Sequence, residues 1–268
     1  MIVSMTKPQT SVRHGALKLH RVPGFGEVSL PLHQPVKPCF PPIPQTGTGG
    51  AIKYLTLGVA ALSTRSTRRG GARNRADRTS DALKPAQVRN LIDAAHHANV
   101  IGLPFTRMIS IHWQSAGIPL PGMAKATGRF TDLMAKALAR HGSGTAWLWV
   151  HENGDGKGGH CHMLAHVPAG LVQTISGLQR NWLRRITGKP YRARVIYSKP
   201  IGGRLGLEHN NPDLHAVNLE KALSYILKGA DADAAAQFAL VRLEPGGTII
   251  GKRCGISENI AAKARSTP

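Results

Sequence analysis

Residues 145–167 read TAWLWVHENGDGKGGHCHMLAHV, and this stretch decides the fold. Thr145–Glu152 and Gly159–Val167 are both rich in strand-forming residues. Between them Asn153–Gly158, NGDGKG, is a run of turn-forming residues. The two segments therefore read as a β-hairpin whose second arm carries His160, Cys161 and His162. Side chains alternate along a strand, so the two imidazoles project from one face and Cys161 from the other, into the core. Glu152 and His151 end the first arm, across the turn from the histidines.

Outward from the hairpin, FTRMISIHW (105–113) alternates as a strand. Residues 123–140 form a helix with Met134 and Leu138 on one side, stopped by Gly142. A further helix begins at Pro85, with Val88, Leu91, Ile92 and Ala95 at helical spacing. Downstream, Leu171, Ile175, Leu178, Trp182 and Ile186 trace an amphipathic helix, Arg192–Tyr197 a strand, and Leu219–Gly229 a helix ended by its glycine. From residue 105 the order is βαββαβ followed by a helix. It predicts an α+β fold of the βαββαβ type, a mostly antiparallel sheet with helices on one face. Many functions use that topology, RNA-binding modules among them, so topology alone assigns none.

The chain has 268 residues, with 35 Lys+Arg against 14 Asp+Glu, a net charge of +21 and 41% hydrophobic residues. That apolar content builds a core and excludes wholesale disorder. The charge points to a polyanionic partner, nucleic acid before an anionic membrane. A run of about 18 apolar residues is absent, so no spanning helix and no membrane partner are expected. Residues 1–8 lack the apolar core of a signal peptide, and Cys39, Cys161 and Cys254 are far apart. Both features predict a cytoplasmic protein. Residues 1–80 are Pro/Gly-rich and basic, with Arg65, Arg68, Arg69, Arg73, Arg75 and Arg78 opposed only by Asp77 between 65 and 78. They read as a disordered N-terminal extension. Residues 81–255 read as the folded domain and 256–268 as a C-terminal tail.

His160 and His162 are spaced to share one cation. Glu152 is the preferred third ligand, because a carboxylate with two imidazoles suits Mg²⁺ or Mn²⁺; His151 is the alternative. Three such ligands leave positions for water and a phosphate oxygen. On LEKALSYILKG (219–229), Tyr225 and Lys228 stand at i and i+3, and Lys221 lies one turn before Tyr225 on the same side. A phenol with a pKa of about 10 is a weak nucleophile at neutral pH. An adjacent ammonium stabilises the phenolate or neutralises the phosphate under attack. Arg180, Arg184 and Arg185, with Lys189, Arg192 and Arg194, are expected to track a DNA backbone. Lys157, in the hairpin turn, is expected to touch phosphate, and Lys221 is expected to bind DNA as well. Trp147 and Trp149 read as packing residues.

Three segments in this order, MISIHW (108–113), GHCHML (159–164) and ALSYILKG (222–229), resemble the motifs of HUH endonucleases. The nearest likeness is to the single-tyrosine rolling-circle replication initiators of small plasmids and filamentous phages, and it covers residues 100–230. The resemblance implies a metal-dependent nicking and rejoining enzyme acting on single-stranded DNA at a replication origin. Tyr225 would be the nucleophile, forming a 5′-phosphotyrosine, and Lys228 its electrostatic aid. It implies host helicase and polymerase as partners, in a bacterial or phage-infected cell. Rivals are a non-catalytic nucleic-acid-binding protein of the same fold, a relaxase or transposase relative acting in DNA mobilisation, and a cupin-like metal enzyme. Against the last, His166 stands where that family's glutamate belongs.

Overall fold

A computed structural model describes residues 78–266. The expected N-terminal extension lies outside the described residues except for 78–80. The elements in chain order are β1 (Thr79–Ser80), α1 (Pro85–Val100), β2 (Arg107–Ile111), α2 (Met123–Arg140), β3 (Trp147–Gly154), β4 (Gly158–Ala165), α3 (Val172–Thr187) and β5 (Ile196–Pro200). They continue with α4 (Leu207–Asn210), α5 (Pro212–Ile226), α6 (Ala232–Phe238), β6 (Ile249–Ile250), β7 (Cys254–Ile256) and α7 (Ala262–Arg265).

The fold is α+β. Five strands form one sheet in the order β5-β2-β4-β3-β7, antiparallel at every step. The hairpin is β3 and β4, which place Glu152 opposite His160 and Val150 opposite His162. A second pairing, β1 with β6, closes the start of the domain onto its end.

The sheet carries helices on both faces, not on one. On one face α2 and α3 cover Ile109, Ile111, Trp149, Cys161 and Met163. On the other α1, α5 and α6 cover Leu148, Val150 and Leu164. The reason lies in the central hairpin. From Leu148 to Glu152 and from Gly159 to Ala165 every residue is buried, so neither face can be left to water. Trp147 and Trp149 pack into the α2/α3 side, as expected.

Three boundaries differ from the sequence reading. The strand expected at Arg192–Tyr197 starts at Ile196, because Arg194 adopts a left-handed φ of 64° and turns the chain first. Arg192 and Arg194 therefore precede the strand. The helix expected at Leu219–Gly229 begins at Pro212, where Asn211 caps it by accepting from the Leu214 amide at 3.0 Å. It ends at Ile226, which leaves Lys228 in the turn beyond it. The stretch read as a C-terminal tail carries structure up to residue 266. There Ile256, the last residue of β7, pairs with Leu148 of β3 at the edge of the sheet, Ile260 is fully buried, and Arg265 donates to Asn90 at 2.7 Å.

One loop presses on the end of β3. Gly247 has φ +63°, and a Cβ there would sit 1.8 Å from the Asn153 carbonyl oxygen. Only glycine allows this approach. The Gly246 carbonyl meanwhile accepts from the Asn153 amide at 2.8 Å, next to Glu152.

Candidate metal centre

Sheet register assembles the site. Glu152 and His160 are directly opposed on β3 and β4, and side chains of opposed residues share a face. His162 is two residues from His160 on that same face. The result is one compact group. Glu152 Oε2 lies 3.3 Å from His160 Nε2 and 3.7 Å from His162 Nε2, and all three side chains are buried. One ligand atom from each of Glu152, His160 and His162 falls within 4.8 Å of the others, so the group could hold a metal ion.

Neighbouring groups aim the imidazoles. His160 Nδ1 donates to the Gly158 carbonyl at 2.8 Å, which turns Nε2 toward Glu152, where it donates to the carboxylate or, without its proton, could ligate a cation. His162 Nδ1 is bonded to Ser110 Oγ at 2.8 Å. Ser110 comes from β2, whose register sets it opposite His162. The donor set fits a cation on a second count as well. Among the described residues Glu152 Oε1, which is buried, has no hydrogen-bond partner, a costly state for a carboxylate oxygen that a cation would relieve.

The charges match such a role. Burial pushes the Glu152 carboxyl up, but the His160 hydrogen bond, the His162 ring and the Lys228 ammonium outweigh it and hold it at about 2. Burial lowers His162 to about 3, against the opposing pull of Glu152, so its imidazole is neutral at pH 7 and able to ligate.

The tyrosine helix delivers the remaining groups. Tyr225, in the last turn of α5 and half-buried, sets its ring against His162 with centroids 5.0 Å apart. Lys228 is buried and donates to Glu152 Oε2, with Glu244 Oε2 3.2 Å from its ammonium. The same ammonium lies 5.3 Å from the Tyr225 ring centroid. Burial lowers the Lys228 pKa, but the hydrogen bonds and charges of Glu152 and Glu244 reverse this and raise it. The exposed Arg242 guanidinium stands 5.1 Å from the Tyr225 ring centroid.

The site therefore unites Glu152, His160, His162, Tyr225 and Lys228, residues drawn from three separate stretches of chain. His151, the alternative ligand, is not part of it. It points to the opposite face, fully buried, where its Nε2 meets Thr127 Oγ1 at 2.8 Å and its Nδ1 donates to the Lys252 carbonyl at 2.9 Å. Strand alternation alone turns residue 151 away from residue 152. Cys161 also lies on that face, its thiol pushed up by burial.

The basic residues do not gather at this site. Arg180, Arg184 and Arg185 sit on α3, which covers the other face of the sheet. Arg184, Arg185 and Lys189 line an open cavity of about 550 Å³ with Asn181, Gly188 and Pro190. Arg192 donates to the Ser115 carbonyl at 3.1 Å, and Arg194 is exposed on its turn. Lys221 is exposed on α5, one turn before Tyr225. Lys157 is exposed in the hairpin turn, near enough to His112 to contribute to the lowering of its pKa, behind burial and the charge of His160.

The sequence assigned no role to Ser110, His112, Arg242 and Glu244. Two of them left a trace, Ser110 as the polar residue inside the strand MISI and His112 as a histidine on a strand of the expected sheet. Arg242 and Glu244 come from an irregular loop that no periodicity marks. His166 and His215 are buried structural groups, bonded to the Pro104 and Phe105 carbonyls at 2.7 and 2.9 Å.

No protein-family model, curated protein or solved structure matches the chain. Among the described residues no helix is long and apolar enough to cross a membrane.

Proposed function

We propose that the protein is an HUH-type endonuclease that nicks and rejoins single-stranded DNA through Tyr225. One observation carries the reading: the only tyrosine of α5 rests against His162 of a buried Glu–His–His group, 5.0 Å between ring centroids. Motif order in the sequence supports it, and so does the +21 charge.

Glu152, His160 and His162 would hold Mg²⁺ or Mn²⁺, which when bound polarises a backbone phosphate. Tyr225 Oη attacks phosphorus, a Tyr–O–P bond forms, and the P–O3′ bond breaks. The phenol gives up its proton and O3′ gains one, so the transfer needs no oxidant or water. The products are a 5′-phosphotyrosine and a free 3′-hydroxyl, and the reverse step rejoins the strand. Lys228 and Arg242, flanking the ring, would offset the negative charge gathering on phosphate. A free 3′-hydroxyl primes synthesis, which places the enzyme at the start of rolling-circle replication or in DNA mobilisation.

The test is incubation of the full chain with 5′- and 3′-labelled single-stranded oligonucleotides in Mn²⁺, followed by a denaturing gel. A protein-linked band that EDTA and Tyr225→Phe both abolish is the expected outcome. A second reading, a metal-free nucleic-acid binder, is favoured by one contact, the Lys228 ammonium neutralising Glu152. It predicts binding without any covalent band.

A further inference from the structure

Two aromatic rings lie beside the candidate metal centre and have no part in the chemistry above. Register places them. Ser110 of β2 is opposed by His162 on one side and by Tyr197 of β5 on the other. Opposed residues share a face, so Tyr197 belongs to the same face as His162. His112 follows Ser110 by two and lies on that face as well. Its ring stacks on His160 at 5.4 Å between centroids with 22° between planes. Tyr197 meets His112 edge to face at 5.9 Å.

The rings thus form a chain, Tyr197–His112–His160, running from a ligand of the centre to the edge of the sheet. Its outer end is open. Tyr197 is 51% exposed, whereas Trp147 and Trp149 pack on the other face of the sheet, away from His160. An apolar ring left half in water on a sheet edge invites a flat partner. Cations border the chain: Lys199 is exposed two residues further along the same edge strand, and Lys157 lies near His112.

We infer that Tyr197, backed by His112, is a stacking subsite for an unpaired nucleobase of a single-stranded nucleic acid beside the scissile phosphate. This rests on the proposed function and adds the group that seats the substrate next to His160. Every base has a π face, so such a shelf holds a strand without reading its sequence. Lys157 and Lys199 meet the flanking phosphates. A base paired in a duplex has no free face to offer, so the subsite selects unpaired strands.

The experiment measures binding of fluorescent oligonucleotides to the full chain by anisotropy, in EDTA so that no cleavage intervenes. The probes are an oligo(dT) strand, a strand of equal length bearing abasic sites, and a duplex. Tyr197→Ala is expected to weaken oligo(dT) binding about 5- to 150-fold, the range for loss of one base–aromatic stack. It is expected to leave the abasic and duplex affinities within about twofold of wild type. Tyr197→Phe keeps the ring face and is expected to bind oligo(dT) like wild type. Equal oligo(dT) affinity of Tyr197→Ala and wild type overturns the subsite while the nicking reading stands. An equal loss on the abasic strand also overturns it, since the effect would then be structural. Failure of the wild-type chain to bind oligo(dT) overturns the subsite and the proposed function together.

Discussion

Lys228 donates to Oε2 of Glu152, the same oxygen that faces Nε2 of both His160 and His162. The ammonium and any cation held by this group would therefore address one carboxylate. Without a cation, Lys228 neutralises a buried negative charge. With one held there the charge would be shared, and the same ammonium already lies 5.3 Å from the Tyr225 ring centroid.

Replacing Lys228 separates those two duties. Lys228→Met keeps the length of the buried chain but strands the Glu152 carboxylate, and breaking such a pair costs about 3–5 kcal/mol. For a domain of this size that is a fall in Tm of roughly 10 °C in EDTA. Mn²⁺ supplies the missing charge, so it should raise the Tm of the variant by more than it raises that of wild type. Thermal melts with and without Mn²⁺ check this. Equal Mn²⁺ shifts for the two proteins would show that Lys228 and the cation do not meet on Glu152.

Ligand assignment has its own test, because residues 151 and 152 face opposite ways. Glu152→Gln or His162→Ala should weaken Mn²⁺ binding at least about tenfold, as expected for loss of a metal ligand or a close neighbour of one. His151→Leu should leave the affinity unchanged yet lower stability by about 1–3 kcal/mol. That variant breaks the chain in which Trp113 Nε1 donates to Thr127 Oγ1 at 2.8 Å, Thr127 bonds His151, and His151 donates to the Lys252 carbonyl. Titration calorimetry and urea unfolding read the two effects separately. Loss of Mn²⁺ binding in a folded His151→Leu protein would contradict the geometry.

The hairpin and its histidines were legible in the sequence because strand alternation is a local rule. It placed His160 and His162 together and turned Cys161 away, while Glu152 was preferred to His151 for its carboxylate alone. The same rule turns residues 151 and 152 to opposite faces, yet choosing between them required the pairing register, which the run NGDGKG read as a turn does not fix by itself. The second helical layer was less legible. Helix α1 was visible, but which face it covers depends on burial of both faces of β3 and β4. The loop bearing Arg242 and Glu244 left no signal, since its residues are placed by tertiary contacts. The basic residues of α3 were visible as a cluster, but their face relative to the histidines depended on the path of the chain around the sheet.

Acid should destabilise the metal-free protein well above the range of ordinary carboxylates. Burial lowers His151 from 6.5 to about 3, with Arg253 adding to it and the Lys252 carbonyl opposing. His162 is held to about 3 as well. Between pH 6.5 and about 3 the unfolded chain binds a proton on each imidazole and the folded chain does not. Stability is therefore full above pH 6.5 and falls as pH drops toward 3, with a slope approaching about 1.4 kcal/mol per pH unit for each group. Glu152, held at about 2 against an ordinary value of 4.5, extends the loss further into acid. Urea titrations in EDTA at pH 7, 6 and 5 check this. A stability that is flat or rises on acidification across that interval would show that these imidazoles are already protonated in the fold.

The basic face of α3 should govern affinity for polyanions without touching the chemistry. From Gly156 to Leu207 the chain has no Asp or Glu, while Lys157, Arg180, Arg184, Arg185, Lys189, Arg192, Arg194, Lys199 and Arg204 fall within it. Arg180, Arg184 and Arg185 lie on the helix that covers the face of the sheet opposite His160 and His162. A strand that contacts both regions must wrap around the sheet edge, and β5 is the edge nearest α3 in the chain. Binding there is set by release of counterions, about 0.7 per phosphate on single strands and 0.9 on duplex. Replacing all three arginines by alanine should therefore reduce the slope of log affinity against log salt by up to about 2–3 units. Mn²⁺ affinity and the yield of covalent product at saturating DNA should remain as in wild type, because no ligand and no group near Tyr225 is changed. Anisotropy at a series of salt concentrations gives the slope, and the denaturing gel gives the yield. An unchanged slope would mean that the face does not contact the strand. A lost product at saturation would mean that it contributes to the chemistry after all.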